Sequence, residues 1–255
     1  MRRVDHLLRA TARAEARHFW FRGFRAFVTP LLRRAAANRP DARLLDCGCG
    51  TGANLELLDM FGHACGFDLA EVGLRIGRDA GRTRLARATV AAAPFPTASF
   101  DIVTSFDVLY SLPDSDEKAA ISEMFRLLKP GGRAIVNVAA MPVLRGDHSV
   151  LSRELRRYSR DQLRVRLEAA GFVIERLTYT NATLFLPLAI ARLLQRRRGL
   201  RRESEADAEI AVPPAPINAV MTAVMRLEAL WLRAFDEPFG SSLLCLARKP
   251  SSPTP

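Results

Sequence analysis

The sequence predicts an α/β fold in which a parallel sheet is crossed by helices, and three observations carry that prediction. Short apolar runs alternate with segments of helical periodicity along most of the chain, the pattern of strands joined by crossover helices. The first of those runs leads directly into a glycine-rich loop, LLDCGCGTG at 44–52, followed by the helical ANLELLDMF. The 255 residues are 49% hydrophobic and 25% charged, globular proportions that exclude a mainly disordered, collagenous or multi-spanning membrane chain.

The elements follow in order. Residues 1–25 read as helix; they carry arginines but no apolar core or small-residue cleavage pattern, so they are not a secretory signal. Strands are expected at 43–47, 64–68, 88–92, 101–106, 133–138, 173–179 and 243–247. The clearest helices are 118–128 and 160–170, the latter ended by Gly171 as a left-handed cap. The longest apolar stretch, 182–194, is thirteen residues long, contains Pro187 and Arg192, and is too short to span a bilayer. Residues 199–216, a charged run and then a proline cluster, read as a mobile linker. Helical spacing resumes over 217–235 through Val220, Val224, Leu227 and Trp231.

Charge is distributed unevenly. Of the 38 basic residues only Lys118, Lys129 and Lys249 are lysine. Residues 1–43 carry a net +8 and 141–202 a net +9, around a middle segment, 44–140, at −3. Such flanks either face something anionic or merely solvate helices. Ala191 to Arg202, ARLLQRRRGLRR, reads either as a surface that lies on an anionic membrane or as a solvated helix end. No recognition motif accompanies the charge, so nucleic acid is not an expected partner. The four cysteines have neither paired C-x-x-C spacing nor nearby histidine pairs, which excludes a zinc site or a disulfide framework and points to a reducing cytosol.

The glycine loop is the most informative segment. Glycines at alternate positions let the backbone turn sharply and approach a ligand, and the following helix N-terminus offers free N–H donors. Taken alone the loop has two readings. Gly48, Gly50 and Ala53 satisfy the dinucleotide pattern G-x-G-x-x-G/A, and Asp68, at the end of the next strand, could hold ribose hydroxyls in either case.

The context resembles one family. Asp46, Gly48, Gly50 and Gly52 are similar to the first motif of class I S-adenosylmethionine-dependent methyltransferases. The likeness continues through GFD at 66–68, PFPTASFDIVTSFDVLY at 94–110, LLKPGG at 127–132 and FGSSLLCLARKP at 239–250, in the right order and spacing. The resemblance implies a Rossmann-like seven-stranded sheet with an antiparallel last strand, and S-adenosylmethionine across the C-terminal ends of the first strands. It implies that Gly48, Cys49, Gly50 and Gly52 approach the methionine part, with Asp46 near its amino group. Asp68 would take the ribose hydroxyls, Leu69 would lie along the adenine, and Ser105 or Phe106 would supply main chain beside the methionine moiety. Where the family often has an aspartate after the third strand, this chain has Thr89, so adenine recognition falls to the backbone around Ala91. The domain so implied is 41–255, with 1–40 a helical cap and 141–216 an insertion closing over the acceptor.

A narrower resemblance lies in the flanks. HFWFRGFR at 18–25 is similar to the His-aromatic-aromatic-Phe-Arg opening of a bacterial branch of these enzymes, and RRYSRDQL, AAGF and LTYTNATLF resemble its C-terminal half. Ser111, Ser149 and Glu154 depart from that branch, so its substrate does not carry over. These departures keep open a binding protein that has the fold without turnover, which the intact glycine loop and Asp68 argue against.

Methyl transfer from a sulfonium is an in-line displacement, so positioning dominates and no metal is called for. An oxygen acceptor needs a base and a neutral amine less so. His148, just after the fifth strand, is the first candidate base, or else an ordinary loop histidine; Tyr110 is an alternative lining group. His18, Trp20 and Arg22 read either as an aromatic and cationic clamp on the substrate or as core. Glu154, Arg157 and Tyr158 complete the expected lining of the acceptor site. The expected activity is therefore methyl transfer to an oxygen or nitrogen of a small molecule, acidic or lipid-linked, by a cytoplasmic protein that can touch the inner face of a membrane.

Overall fold

The computed structural model describes residues 2–144, 154–198 and 211–251. Two helices, α1 (Arg2–Ala14) and α2 (Phe19–Ala36), precede the sheet. The expected single helix over 1–25 is thus broken: the chain turns after Ala14, and His18 starts α2 as its N-cap, its Nδ1 accepting from the Trp20 N–H at 3.1 Å.

The strands are β1 (Arg43–Cys47), β2 (His63–Asp68), β3 (Leu85–Arg87), β4 (Phe100–Phe106), β5 (Leu128–Ala139), β6 (Val173–Thr180) and β7 (Ser242–Arg248). They form one seven-stranded sheet in the order β3-β2-β1-β4-β5-β7-β6. All neighbours pair in parallel except β5–β7 and β6–β7. Because β7 runs against both its neighbours, β6 is parallel to β5, and its C-terminal end shares an edge with the ends of β1, β2 and β4. The strand expected at 88–92 lies earlier, at Leu85–Arg87. The ladder trails off with the Ala88 N–H on the Asp68 carbonyl, and Thr89 and Ala92 close a turn.

Successive strand residues feed opposite faces, as the pleat requires. Leu45, Val103, Val136, Leu243 and Cys245 meet α5 (Asp114–Leu127) and α6 (Arg160–Ala169) on one side. Leu44, Ile102, Ile135, Leu244 and Leu246 meet α2 and α8 (Ala215–Trp231) on the other. Between these lie α3 (Leu55–Leu58) and α4 (Glu71–Asp79), and α7 (Phe185–Arg198) follows β6. α6 begins with a full capping box at Ser159 and Gln162 and ends at Gly171, whose φ is +95°. α8 is apolar on more than one side. Of Val220, Val224, Leu227 and Trp231, which carry the helical spacing, Val224 packs against the core and the other three are exposed, and the buried side carries Asn218, Thr222, Met225, Glu228 and Ala229.

Asn218 and Glu228 show why polar side chains sit inward there. Asn218 accepts from the Phe19 N–H at 2.8 Å and donates to the Arg17 carbonyl at 2.9 Å, tying α8 to the α1–α2 junction. Glu228 accepts from the Ala182 and Thr183 N–H groups at 2.9 and 3.1 Å, fixing the start of α7. Among the described residues no helix is long and apolar enough to cross a membrane.

Candidate active site

The C-terminal edge of the parallel strands holds the site. β1 ends in Asp46 and Cys47, and the chain then turns through Gly48, Gly50 and Gly52 with φ of +80°, +58° and +75°. At Gly48 a Cβ would stand 2.4 Å from Val108 Cγ2, so the loop passes β4 at a distance only glycine allows. Asp68, at the end of β2, ties this loop down: one carboxylate oxygen accepts from the Gly50 N–H and the other from the Ala70 N–H, each at 2.8 Å.

Asp46 is buried beneath the loop, accepting from the Thr104 hydroxyl at 2.7 Å. Burial, and secondarily the Asp68 carboxylate, push it up to about 7 against the pull of Thr104. Its neighbours therefore favour a cation that the protein does not itself supply. Leu69 is exposed past the end of β2, and Ala91 lies in the turn after β3, where its N–H bonds the Thr89 hydroxyl at 3.3 Å. Ser105 and Phe106 are buried at the end of β4, and Phe106 packs edge-on against Phe24 with ring centroids 5.0 Å apart. Cys49 is buried and its thiol is raised by burial, which makes it a packing group.

α1 lies over this half. Leu8 reaches the space beside Gly50 and Gly73, and Glu15 accepts from the Thr51 hydroxyl at 2.8 Å while burial raises its carboxyl. The contact closes the glycine loop from above.

The neighbouring half, beyond β4 and β5, is built from acidic, basic and amide side chains. Asp107 follows β4 with φ of +60°, a left-handed conformation that costs a non-glycine residue energy and so points to a constrained role. Its carboxylate accepts from Asn137 Nδ2 at 2.9 Å, and its backbone N–H bonds the Asn137 carbonyl. Asp107 is exposed just past the end of β4, with protein packed densely around it. Desolvation first, then the Glu154 carboxylate, push it up to about 7, with Asn137 and Arg157 pulling the other way. Glu154 is buried and ion-paired with the half-buried Arg157, which also donates to the Ala140 carbonyl at 3.0 Å. The pair is thus clamped to the end of β5.

Several expected site residues stand elsewhere. Tyr158 is fully buried and donates to Glu117 at 2.6 Å, in a network that Arg156 and Arg166 complete, so the structure places it in the core. His18, Trp20 and Arg22 do not converge as a clamp. His18 is buried as the α2 cap and held below its usual range by desolvation, Trp20 packs against the α2–α8 core, and Arg22 Nε points back to the Ala16 carbonyl at 3.4 Å. Tyr110 is buried, and its carbonyl accepts from the Leu155 and Arg156 N–H groups, which anchors Glu154. His148 lies outside the described residues. Asp107 and Asn137 were not marked by the sequence reading; the only signal for Asp107 was an acidic residue directly after the fourth strand, in SFDVLY. Among the described residues no group of three histidine, cysteine or carboxylate side chains could hold a metal ion.

Comparison with known proteins decides between the two readings of the glycine loop. The family described as a methyltransferase domain matches residues 16–177. This chain belongs to the methyltransferase domain family.

The chain is 36% identical over 120 residues to the ubiquinone/menaquinone biosynthesis C-methyltransferase UbiE of Vibrio parahaemolyticus, covering 42% of the chain and 44% of that protein. It is 32% identical over 139 residues to UbiE of Shewanella woodyi, covering 49% and 52%. The chain thus spans about half the length of the curated relatives it matches. Among solved structures it shares its fold with phosphoethanolamine N-methyltransferase 2 of Haemonchus contortus in complex with S-adenosylhomocysteine. That likeness has a TM-score of 0.59 and 19% identity over 96% of this chain and 58% of that one. An S-adenosylmethionine-dependent methyltransferase of Mesorhizobium loti has a TM-score of 0.54 and 20% identity over 86% and 96%.

The residues present fit the cofactor. The cradle at Gly48 is one that a Cβ would fill, and the desolvated Asp46 carboxylate, beside Asp68 and without a cation among the influences that set its pKa, suits a ligand with an ammonium and a sulfonium.

Proposed function

We propose that the chain methylates a small-molecule acceptor whose attacking atom sheds a proton during transfer, with Asp107 as the base. The observation that carries this is Asp107 itself: a carboxylate just past the end of β4, beside the glycine loop through Val108, pushed up to about 7. A base with a pKa near the working pH is present in its competent form and still takes a proton readily. Bound S-adenosylmethionine supplies an electrophilic methyl group on a sulfonium. Gly48, Gly50 and Gly52 give the methionine part room, Asp46 and Asp68 answer its ammonium and ribose, and Leu69 and the turn at Ala91 flank the adenine. Asn137 holds the Asp107 carboxylate in one orientation, and α1 shields the loop from water through Leu8 and Glu15.

A hydroxyl oxygen or an amine nitrogen meets the demand for a proton to be removed, and so does the ring carbon of a quinol. The last is favoured by the likeness to C-methyltransferases. The Glu154–Arg157 pair bounds the acceptor side and orients polar groups of the substrate. The domain plan follows: a helical cap over 1–40 and a catalytic domain over 41–255, with 141–216 over the acceptor.

The test begins with calorimetric titration of S-adenosylhomocysteine into the wild type and Asp68→Ala, with NAD as control. Binding to the wild type, loss in the variant and no heat with NAD are expected. Turnover is then followed with phenols, 1,4-naphthoquinol and amines, in wild type and Asp107→Asn. Binding retained with turnover lost on any acceptor supports the assignment of Asp107; equal turnover in the variant removes it.

A further inference from the structure

We propose that α7 docks on an anionic bilayer surface and holds the acceptor mouth of the cleft at the lipid interface. α7 leaves β6 from the same sheet edge that carries Gly48, Asp68 and Asp107, and it packs on the short turn Pro142–Leu144 that follows β5. Four of its described apolar side chains stand out from the core. Leu186, Ile190, Leu193 and Leu194 are 46 to 67% exposed, and their spacing places them on one arc of the helix about 100° wide.

Charge identifies the occupant of this face. Residues 185–198, the whole of α7, contain no acidic residue and four arginines, three of them at 196–198 in the last turn. An apolar arc continued by a cationic run matches a membrane with anionic headgroups: the leucines enter the boundary of the acyl chains, and the arginines hold the helix against the phosphates. A second copy of the chain would answer the leucines but would bring two arginine runs together, which like charge opposes. Nucleic acid would answer the arginines and leave the leucines in water. A lipid-linked acceptor would then reach the cleft sideways from the bilayer; this consequence rests on the acceptor reading above, whereas the docking itself does not.

The test is co-sedimentation of the full chain with phosphatidylcholine vesicles, with and without about 30% phosphatidylglycerol. Binding to the anionic vesicles at least about tenfold tighter than to the neutral ones, and weakening as salt is added, is expected. Ile190→Asp with Leu194→Asp removes this binding while circular-dichroism melting stays unchanged, because both side chains are already exposed. Val220→Asp with Leu227→Asp, on the exposed side of α8, leaves it intact. Absence of binding to anionic vesicles overturns the proposal, as does binding that survives the α7 substitutions or is lost only with those in α8. A wild-type dimer in light scattering that the α7 substitutions dissociate, without vesicle binding, assigns the face to a second copy and overturns it equally. None of these readouts depends on turnover, so failure of the acceptor reading leaves the result standing.

Discussion

The two halves of the cleft are made of different materials. The cofactor half is main chain: three glycines, two buried helix and strand ends, and carboxylates at 46 and 68 that answer backbone donors or a single hydroxyl. The acceptor half is side chain, with Asp107, Asn137, Glu154 and Arg157 brought together from three separate segments and backed by the Glu117, Tyr158, Arg156 and Arg166 network. A site made of backbone geometry must be written as a local motif, because only a fixed order of glycines produces it. A site made of converging side chains is written only in the topology.

The largest effect that tests this contrast is on turnover. Asp107→Asn keeps the shape and the contact with Asn137 but cannot accept a proton, so kcat falls by about 10² to 10⁴ while the Kd for S-adenosylhomocysteine holds within about twofold. The acidic limb of the pH–rate profile near 7 disappears with it. A parallel loss of cofactor affinity would mean that the two halves are not separable.

Next is the support of the acceptor half. Glu117 is fully buried and accepts from Arg166 at 2.6 Å and Tyr158 at 2.6 Å. Glu117→Ala takes the buried acceptor from Tyr158 and leaves Arg156 and Arg166 only the exposed Asp114, at a cost of about 3 kcal/mol in chemical denaturation. In the cofactor half, Gly48→Ala meets Val108 at 2.4 Å in a left-handed conformation and raises the S-adenosylhomocysteine Kd about 100-fold, or ~2.7 kcal/mol. Kinetics with saturating cofactor would then recover most of the wild-type kcat if the damage is confined to binding.

The same contrast sets what could be read from the amino acids. β1, β2 and β4, the glycine loop and Asp68 were legible because alternating apolar runs and glycine spacing are local signals. β3 was displaced because Thr89 and Val90, both β-branched, suggest strand, whereas the chain turns there between Thr89 and Ala92. The break before α2 is made by His18 acting as a cap, a residue type that rarely announces one. In α8 the period is legible but spacing does not say which side is buried: Val224 packs against the core, Val220, Leu227 and Trp231 are exposed, and Asn218 and Glu228 turn inward because they bind main-chain groups of other segments. Tyr158 and Asp107 could not be sorted by sequence, since one aromatic and one acid among many acquire a role only from what the fold sets against them.

The smallest effect concerns Asp46 and separates the empty cofactor half from the occupied one. Its carboxyl is near 3.8 in an unfolded chain and about 7 in the fold, so the native state binds the proton more tightly than the unfolded state does. Stability from this group is therefore greatest at pH below the unfolded value and is lost as pH rises towards the folded one. Between pH 5 and pH 7 the wild type should lose about 2 kcal/mol relative to Asp46→Asn, whose side chain does not titrate, and the comparison is read from paired denaturation curves at each pH. Cofactor binding reverses the slope. An ammonium beside Asp46 favours the carboxylate, so S-adenosylhomocysteine binds more tightly as pH rises through 7 and binding releases a proton, seen as a heat that changes with the ionisation enthalpy of the buffer. A wild-type stability profile parallel to that of Asp46→Asn would mean that Asp46 is already ionised beneath the loop, and its match to a cationic ligand would rest on geometry alone.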